Sequence, residues 1–236
     1  MATSPLASPA RVPGFTHATR IISGLTARAE GRTLAWLVTR IPSGIHSDHL
    51  TLLALGAMTA GGVAYAVAGS RPWALWLANL ALAVNWYGDS LDGTLARHRR
   101  VERPRYGFYV DHVVDVVGIA ALVSGMAAGG FLSPVVAASF LAAYFLLSIE
   151  VYLAAYCVGT FRLSFFGCGP TELRLLLALG NAATFAFHPS PHLVILGRSV
   201  GLYDPGALAA AAGLLVVFAV SAVRNTRILH AREVRG

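Results

Sequence analysis

The chain has 236 residues, of which 56% are hydrophobic and only 12% are charged, and its mean hydropathy is +0.64. Soluble domains carry about 25% charged residues, so this composition predicts an integral membrane protein and excludes an ordinary soluble enzyme. The net charge is +7, all 18 basic residues are arginine, and two cysteines are too few for a disulfide framework or a zinc site.

The chain opens with a Pro- and Ser-rich stretch that lacks the compact apolar core of a cleavable signal peptide. Residues 15–41 then mix large apolar side chains with four arginines, a composition typical of an amphipathic helix in the membrane interface. Gly24 and Gly31 weaken the helix, and a loosely ordered basic tail is the alternative. We predict that residues 1–46 form a cytoplasmic tail and an amphipathic juxtamembrane segment.

Six apolar segments farther along are long enough to cross a bilayer as helices. Links rich in Gly, Pro and Ser separate them. Together they predict an all-α integral membrane protein, with a domain of six transmembrane helices over residues 47–230. The segments are 49–69, 72–96, 107–129, 133–157, 171–187 and 206–226.

The distribution of arginine predicts the orientation of these helices. With six spans, sixteen arginines flank the side that holds both termini, whereas only Arg71 and Arg198 flank the other. Positive charge accumulates on the cytoplasmic side, so both termini and the 97–105 loop are expected there. Nucleic-acid binding is disfavoured, because the arginines flank spans and leave no soluble recognition module.

Four aspartates lie where the second predicted span ends and the third begins. They belong to the runs D-S-L-D-G-T-L-A-R, starting at Asp89, and G-F-Y-V-D-H-V-V-D, ending at Asp115. Asp92 is three residues from the first aspartate and Asp111 four residues from the last, so each pair shares a helix face. Ionised carboxylates beside apolar runs are costly. Ligands that are all oxygen favour Mg²⁺ or Mn²⁺ over zinc, so the residues predict a divalent cation site.

The pattern D-x-x-D-G-x-x-A-R followed by G-x-x-x-D-x-x-x-D resembles the motif of the CDP-alcohol phosphotransferase (CDP-alcohol phosphatidyltransferase) family, membrane enzymes of phospholipid head-group synthesis. The span count and the preceding amphipathic segment are also similar to the family. All eight fixed positions are filled: Asp89, Asp92, Gly93, Ala96, Arg97, Gly107, Asp111 and Asp115.

The resemblance implies a site of two divalent ions, Mg²⁺ or Mn²⁺. Asp89, Asp92 and Asp111 would be metal ligands, and Asp115 would be a metal-side carboxylate that also acts as general base. The CDP part of the donor would bind at the other motif positions: Gly93, Ala96, Arg97 and Gly107. The alternative for the two glycines is helix–helix packing, and for the arginine it is one more cytoplasmic charge.

The resemblance also implies the reaction, which is transfer of a phosphatidyl group from CDP-diacylglycerol to a polar alcohol with release of CMP. No Ser, Cys or His is placed for a covalent intermediate, so a single displacement is expected. The length favours the bacterial-type enzymes, in the cytoplasmic membrane. Inositol, its phosphate, glycerol 3-phosphate and serine stay open as acceptors.

Two alternative functions remain. One is the same chemistry with a CDP-linked small alcohol as donor and a lipid alcohol as acceptor. The other is a cation- or proton-coupled transporter, which would explain buried carboxylates. A transporter does not explain Gly93, Arg97 and Gly107 at their fixed spacing, nor aspartates clustered at one end of the spans.

Polar residues after the fourth span are expected on the same side as the aspartates. Arg162 or Arg174 would meet an anionic acceptor there, which favours a phosphorylated alcohol. The alternative is that Glu150 or Glu172 pairs with an arginine and only fixes the bundle.

Several flanking residues have simpler interpretations. Asp48 or Ser47 is expected to cap the first span, His112 is expected to be a packing residue, and Trp86 an interface anchor. The resemblance implies a homodimer, for which small residues offer surfaces of close approach: Gly125, Ala128, Gly129 and the stretch 137–143.

Overall fold

The computed structural model describes residues 19–21, 27–162, 169–187, 190–195 and 197–234. Within these ranges the protein is a helical bundle with two small strand pairs. The helices are α1 (Ala27–Val38), α2 (Ser47–Ala68), α3 (Ala74–His98), α4 (Pro104–Ala128), α5 (Pro134–Cys157), α6 (Pro170–Phe187) and α7 (Asp204–Glu233). Strand β1 (Thr19–Ile21) pairs in parallel with β2 (Thr160–Arg162), and β3 (His192–Ile195) pairs antiparallel with β4 (Arg198–Gly201).

Each of the six predicted spans coincides with one of the helices α2 to α7. Four of these helices are long and apolar enough to cross a bilayer, namely α2, α4, α5 and α7. Helices α3 and α6 are less apolar because both carry polar residues that face one another inside the bundle. The prediction of a helical membrane fold is therefore confirmed, with four helices that are long and apolar enough to be spans.

Helices α2 and α4 cross at very short range. A Cβ added to Gly125 of α4 would lie 2.0 Å from the Gly62 carbonyl oxygen of α2, and one added to Gly129 would lie 2.1 Å from the Tyr65 carbonyl oxygen. These two glycines therefore pack within the bundle, which their small size allows equally with a surface for a second subunit. Ala128 is exposed.

Replacing Gly125 with alanine should destabilise the fold, because the new methyl group would overlap backbone that cannot move without separating α2 from α4. Overpacking of this kind costs about 3 kcal/mol. Gly56→Ala on α2 is the matched control, since a Cβ there meets nothing within 4 Å. Thermal unfolding of both variants in one detergent measures the difference, and equal melting temperatures would contradict the packing.

A buried polar network holds α6 against α2 and α3. The Asn181 side chain, fully buried, accepts hydrogen bonds from the hydroxyls of Tyr65 and Tyr203, both at 2.9 Å, and donates to Asn79 Oδ1 at 2.7 Å. Thr184 lies 3.2 Å from the Tyr203 hydroxyl. Because buried polar groups are stable only when paired, this network fixes α6 beside α3, the helix that carries the first two aspartates.

Helix α3 ends in a defined turn just before the second half of the aspartate motif. Arg100 has φ 56°, and the Val101 amide donates to the Ala96 carbonyl at 3.0 Å, which is a Schellman-type termination. The adjacent Arg99 guanidinium then holds the link between α1 and α2. It donates to four carbonyls: Ile41, Pro42, Ser43 and Ile45.

Helix α1 docks on α3 through one face only. Its inner face joins a small apolar cluster of buried residues: Val38, Ile41, Leu50, Leu91 and Leu95. Its outer face exposes Arg28, Arg32 and Trp36, with the Arg40 guanidinium 3.6 Å from the Trp36 ring centroid. This division places a basic, aromatic surface on the side of α1 away from the bundle.

Candidate active site

Among the residues that the structure describes, one group of acidic side chains is arranged to hold a metal ion. Helix α3 supplies Asp89, and α4 supplies Asp111 and Asp115. Their ligand oxygens all lie within 4.8 Å of one another, and each residue is half-buried. Three carboxylates at this separation repel one another unless a cation balances them. The group, all oxygen, fits a hard divalent ion.

The fourth aspartate of the motif lies beside this group and contacts α2. Asp92 Oδ2 accepts a hydrogen bond from the Thr51 hydroxyl at 2.7 Å, and its Oδ1 accepts from the Gly93 amide at 2.5 Å. These two bonds hold the Asp92 carboxylate between α2 and the start of the next turn of α3. The contact with Thr51 was not predicted, because it depends on how α2 packs against α3.

Arg174 of α6 joins the aspartates directly. Its guanidinium donates to Asp89 Oδ2 at 2.6 Å and to Asn85 Oδ1 at 2.8 Å. The sequence prediction placed this arginine in an acceptor pocket on the same side of the membrane, and the structure brings it to Asp89, one of the three clustered carboxylates. The side chain of Arg162 lies outside the described part of the structure.

Among the described residues, no atom of a neighbouring helix is among those nearest to either motif glycine. Within 4 Å, a Cβ added to Gly93 would meet only the Arg97 guanidinium, with the closest atom at 3.2 Å, and one added to Gly107 would meet nothing. Arg97 is exposed and donates to the Thr94 hydroxyl at 3.2 Å. The space around these positions is therefore compatible with a bound ligand rather than with a neighbouring helix.

One face of α5 looks toward the aspartates and was largely missed in the sequence. Tyr144 and Tyr152 both interact electrostatically with Asp115, and Ser148 lies between them on the same face. Their spacing of four residues is the signal that could have found them. This face provides hydroxyl groups beside the carboxylates.

His112 and Glu150, which flank the aspartates, both have partners inside the bundle. His112 is buried, as predicted, with its ring 4.1 Å from that of Phe108 and 4.6 Å from that of Tyr152. Glu150 Oε1 accepts from Asn225 of α7 at 2.7 Å. This oxygen of Glu150 thus meets an amide and not an arginine, in contrast to the alternative of a pair between Glu150 and an arginine.

The predicted cap of α2 was wrong. The helix begins at Ser47 with His46 as N-cap, and neither predicted residue caps it. The Asp48 carboxylate pairs with the Arg103 guanidinium, while the Ser47 hydroxyl donates to the Asp92 carbonyl at 2.9 Å. Ser47 thus joins α2 to the first half of the aspartate motif, and Asp48 joins it to the link between the two halves.

An apolar helical bundle with carboxylates gathered from two helices is typical of a metal-dependent membrane enzyme. The chain matches the family model described as CDP-alcohol phosphatidyltransferase over residues 45–218, which is more than half of its length and includes all eight motif positions. The chain belongs to the CDP-alcohol phosphatidyltransferase family. Among curated proteins no match was found.

Membership of the family establishes the general character of the protein. The family consists of membrane-embedded transferases that act on a CDP-alcohol and an alcohol acceptor in phospholipid synthesis. It depends on divalent metal, and the group of three aspartates could hold one. The protein is therefore an integral membrane transferase.

Proposed function

We propose that this protein transfers a phosphatidyl group from CDP-diacylglycerol to a polar alcohol and releases CMP. The observation that carries the proposal is the convergence of Asp89 with Asp111 and Asp115, which come from the two halves of the motif, within 4.8 Å. The open space at Gly107, and the Arg97 guanidinium lying over Gly93, support a donor site beside them.

Each aspartate has a proposed role. Asp89, Asp92 and Asp111 would hold two divalent ions, Mg²⁺ or Mn²⁺. Asp115 would face the ions as a further carboxylate and would also act as the general base. The ions, when bound, supply charge that stabilises the phosphate oxygens during an in-line displacement. The half-buried positions of these carboxylates support a role inside a partly dehydrated site, where electrostatic interactions are stronger.

The donor is held by the remaining motif residues: Gly93, Ala96, Arg97 and Gly107. A guanidinium can fork onto two phosphate oxygens, and the exposed position of Arg97 leaves it available for the pyrophosphate. At the two glycines, backbone without a side chain lets a flat base or a phosphate approach closely.

The proposed reaction is a single displacement. The acceptor oxygen forms a bond to the phosphorus of the phosphatidyl group while the bond from that phosphorus to the bridging oxygen breaks, so CMP leaves with the bridging oxygen. The acceptor proton passes to the Asp115 carboxylate. An alcohol is a poor nucleophile until that proton leaves, which is why a base is required.

The architecture proposed for this activity has two units and six spans. Residues 1–46 form a cytoplasmic tail and juxtamembrane segment, and residues 47–230 form the catalytic domain. Helices α3 and α6 would complete the six spans, which their buried contacts with α2 and with each other support. The arginine distribution supports termini and site on the cytoplasmic side. The membrane is proposed to be a bacterial cytoplasmic membrane.

The acceptor pocket is proposed near Arg162 and Arg174. We expect Arg162→Ala to raise the acceptor KM about tenfold or more, because a hydrogen bond to a charged group is worth about 1.5–3 kcal/mol, whereas Arg97→Ala should raise the donor KM instead. Arg174→Ala should raise the acceptor KM and also lower kcat, since Arg174 contacts Asp89. Both KM values are measured at fixed Mg²⁺, and equal donor and acceptor effects of Arg162→Ala would refute its assignment.

A homodimer is also proposed. Because Gly125 and Gly129 pack within the subunit, the surface for it would be the outer face of the Ala-rich stretch 137–143 together with Ala128. The mass of active protein in mild detergent measures the assembly, and an active monomer would refute it.

Detection of CMP by mass spectrometry tests the function as a whole. Purified protein is supplied with CDP-diacylglycerol and, in turn, inositol, inositol phosphate, glycerol 3-phosphate and serine. CMP and a matching lipid product are expected with one acceptor. A second arm supplies a CDP-linked small alcohol with diacylglycerol. Release of CMP only in that arm would show that the donor is the CDP-linked small alcohol and that the acceptor is the lipid.

A further inference from the structure

Glu30 of α1 is bound by two helices of the site at once. Its Oε1 atom accepts hydrogen bonds from Trp86 Nε1 at 3.0 Å and the Ser90 hydroxyl at 3.2 Å, both on α3. The same atom accepts from the Thr171 hydroxyl of α6 at 3.0 Å. One carboxylate oxygen therefore bridges α3 and α6 through three donors.

The residues that bind Glu30 are neighbours of the residues that form the site. Ser90 follows Asp89 directly, and Thr171 lies one turn before Arg174 on α6. Arg174 itself joins Asp89 at 2.6 Å. At this end of the two helices, Arg174 thus joins α6 to α3 within the site and Glu30 joins them on the side of α1, in addition to the contact between Asn79 and Asn181 farther along.

Contacts other than the bridge also dock α1 on the bundle. The apolar cluster of Val38 and Ile41 with residues of α2 and α3 already holds the end of α1, and Arg99 fixes the link that follows it. All three donors to Glu30 Oε1 are neutral groups, so these three bonds do not include an ion pair. A carboxylate can accept several such bonds at once, which suits a joint between two helices.

We infer that Glu30 is a positioning residue, which sets the separation of α3 and α6 and thereby the placement of Asp89 and Arg174. This inference rests on the proposed function, because it assigns Asp89 to the metal site. Some groups do not bind a metal themselves but orient the residues that bind it. Removal of such a group typically lowers metal affinity by about 10–100-fold. Glu30 acts through Ser90 and Thr171, without contact with the metal or the substrate.

The experiment compares Glu30→Ala with Glu30→Gln in full-length protein in detergent. Free Mn²⁺ is measured by electron paramagnetic resonance to give a dissociation constant without turnover, and CMP release gives kcat and the Mg²⁺ concentration for half-maximal activity. Glu30→Ala should weaken Mn²⁺ binding about tenfold. Glu30→Gln keeps an acceptor oxygen and should stay within about threefold of wild type. Thr33→Ala is the matched control on α1, since its exposed hydroxyl bonds only within the helix, to the Ala29 carbonyl.

A second variant tests the bridge without removing the carboxylate. Thr171→Val removes only the α6 donor and should weaken Mn²⁺ binding by about threefold. Combined with Glu30→Ala, it should add nothing further, because the bridge is already lost. This variant also gives the answer if Glu30→Ala does not fold.

Three results would overturn the inference. If Glu30→Ala lowers the melting temperature but leaves Mn²⁺ affinity unchanged, Glu30 only stabilises the fold. If Glu30→Ala and Thr171→Val have additive effects, they do not act through one bridge. If wild-type protein binds no Mn²⁺ and releases no CMP, the proposed function fails and the inference fails with it. If wild-type protein is active and the variants are unaffected, only the inference about Glu30 fails.

Discussion

Changing Asp115 to asparagine should lower the rate of CMP release at least about a hundredfold, the usual scale for loss of a general base. The change keeps the size and shape of the side chain but removes its capacity to take the acceptor proton. It also removes one negative charge from the group formed with Asp89 and Asp111. The measurement is kcat at saturating donor and acceptor, on protein whose folding is checked by thermal unfolding.

Asp48→Asn is the matched control for this experiment. Asp48 is an aspartate near the same end of the bundle, but its partner is Arg103 and both side chains are about half exposed, at 43% and 51%. An exposed ion pair contributes about 0–1 kcal/mol, so this variant should turn over within about threefold of wild type. Normal turnover by Asp115→Asn would refute the assignment of the base, whereas equal losses in both variants would point to a general effect of charge.

The helices could be predicted from the sequence because a bilayer imposes a simple rule. Every span must be a long apolar helix, since backbone groups in lipid must be paired internally, and Pro and Gly mark the links. This rule located α2, α4, α5 and α7 within a few residues, except that α7 continues to Glu233. It also located α3 and α6, although neither is among the most apolar helices.

The polar residues of α3 and α6 pair with one another across the two helices, which a hydropathy scale does not take into account. Asn79 and Asn181 bind each other at 2.7 Å, and Asn85 and Asp89 bind Arg174. Each polar group has its partner on the facing helix, so burial is tolerated. A scale that scores one helix at a time counts these residues against a span, whereas a pair of helices satisfies them together.

The partners of the site residues could not be predicted, although the motif itself could. The aspartates share faces by their spacing along α3 and α4, which local geometry determines. In contrast, Arg174 meets Asp89 across 85 residues and Thr51 meets Asp92 across 41. Such contacts depend on which helices are neighbours and how they are rotated, and a single sequence does not specify either. The bridge formed by Glu30 was missed for the same reason.

Removal of divalent metal should abolish activity, and Mg²⁺ or Mn²⁺ should restore it. All proposed ligands are carboxylate oxygens, which these ions prefer. Charge stabilisation by a metal is worth several kcal/mol, which corresponds to more than about a hundredfold in rate. The measurement is CMP release by protein dialysed against chelator and then against metal-free buffer, before and after addition of each ion.

Zinc and the folded state provide the controls for metal removal. Zinc should restore activity poorly, because the group of Asp89, Asp111 and Asp115 contains no His or Cys ligand. Recovery with Mg²⁺ shows that dialysis did not unfold the protein. The variant Asp89→Asn should need more Mg²⁺ for half-maximal activity. The change removes the charge of a proposed metal ligand, and the same side chain is the ion-pair partner of Arg174. Full activity in metal-free buffer would remove the role given to the aspartates, and with it the reason for three carboxylates to lie so close together.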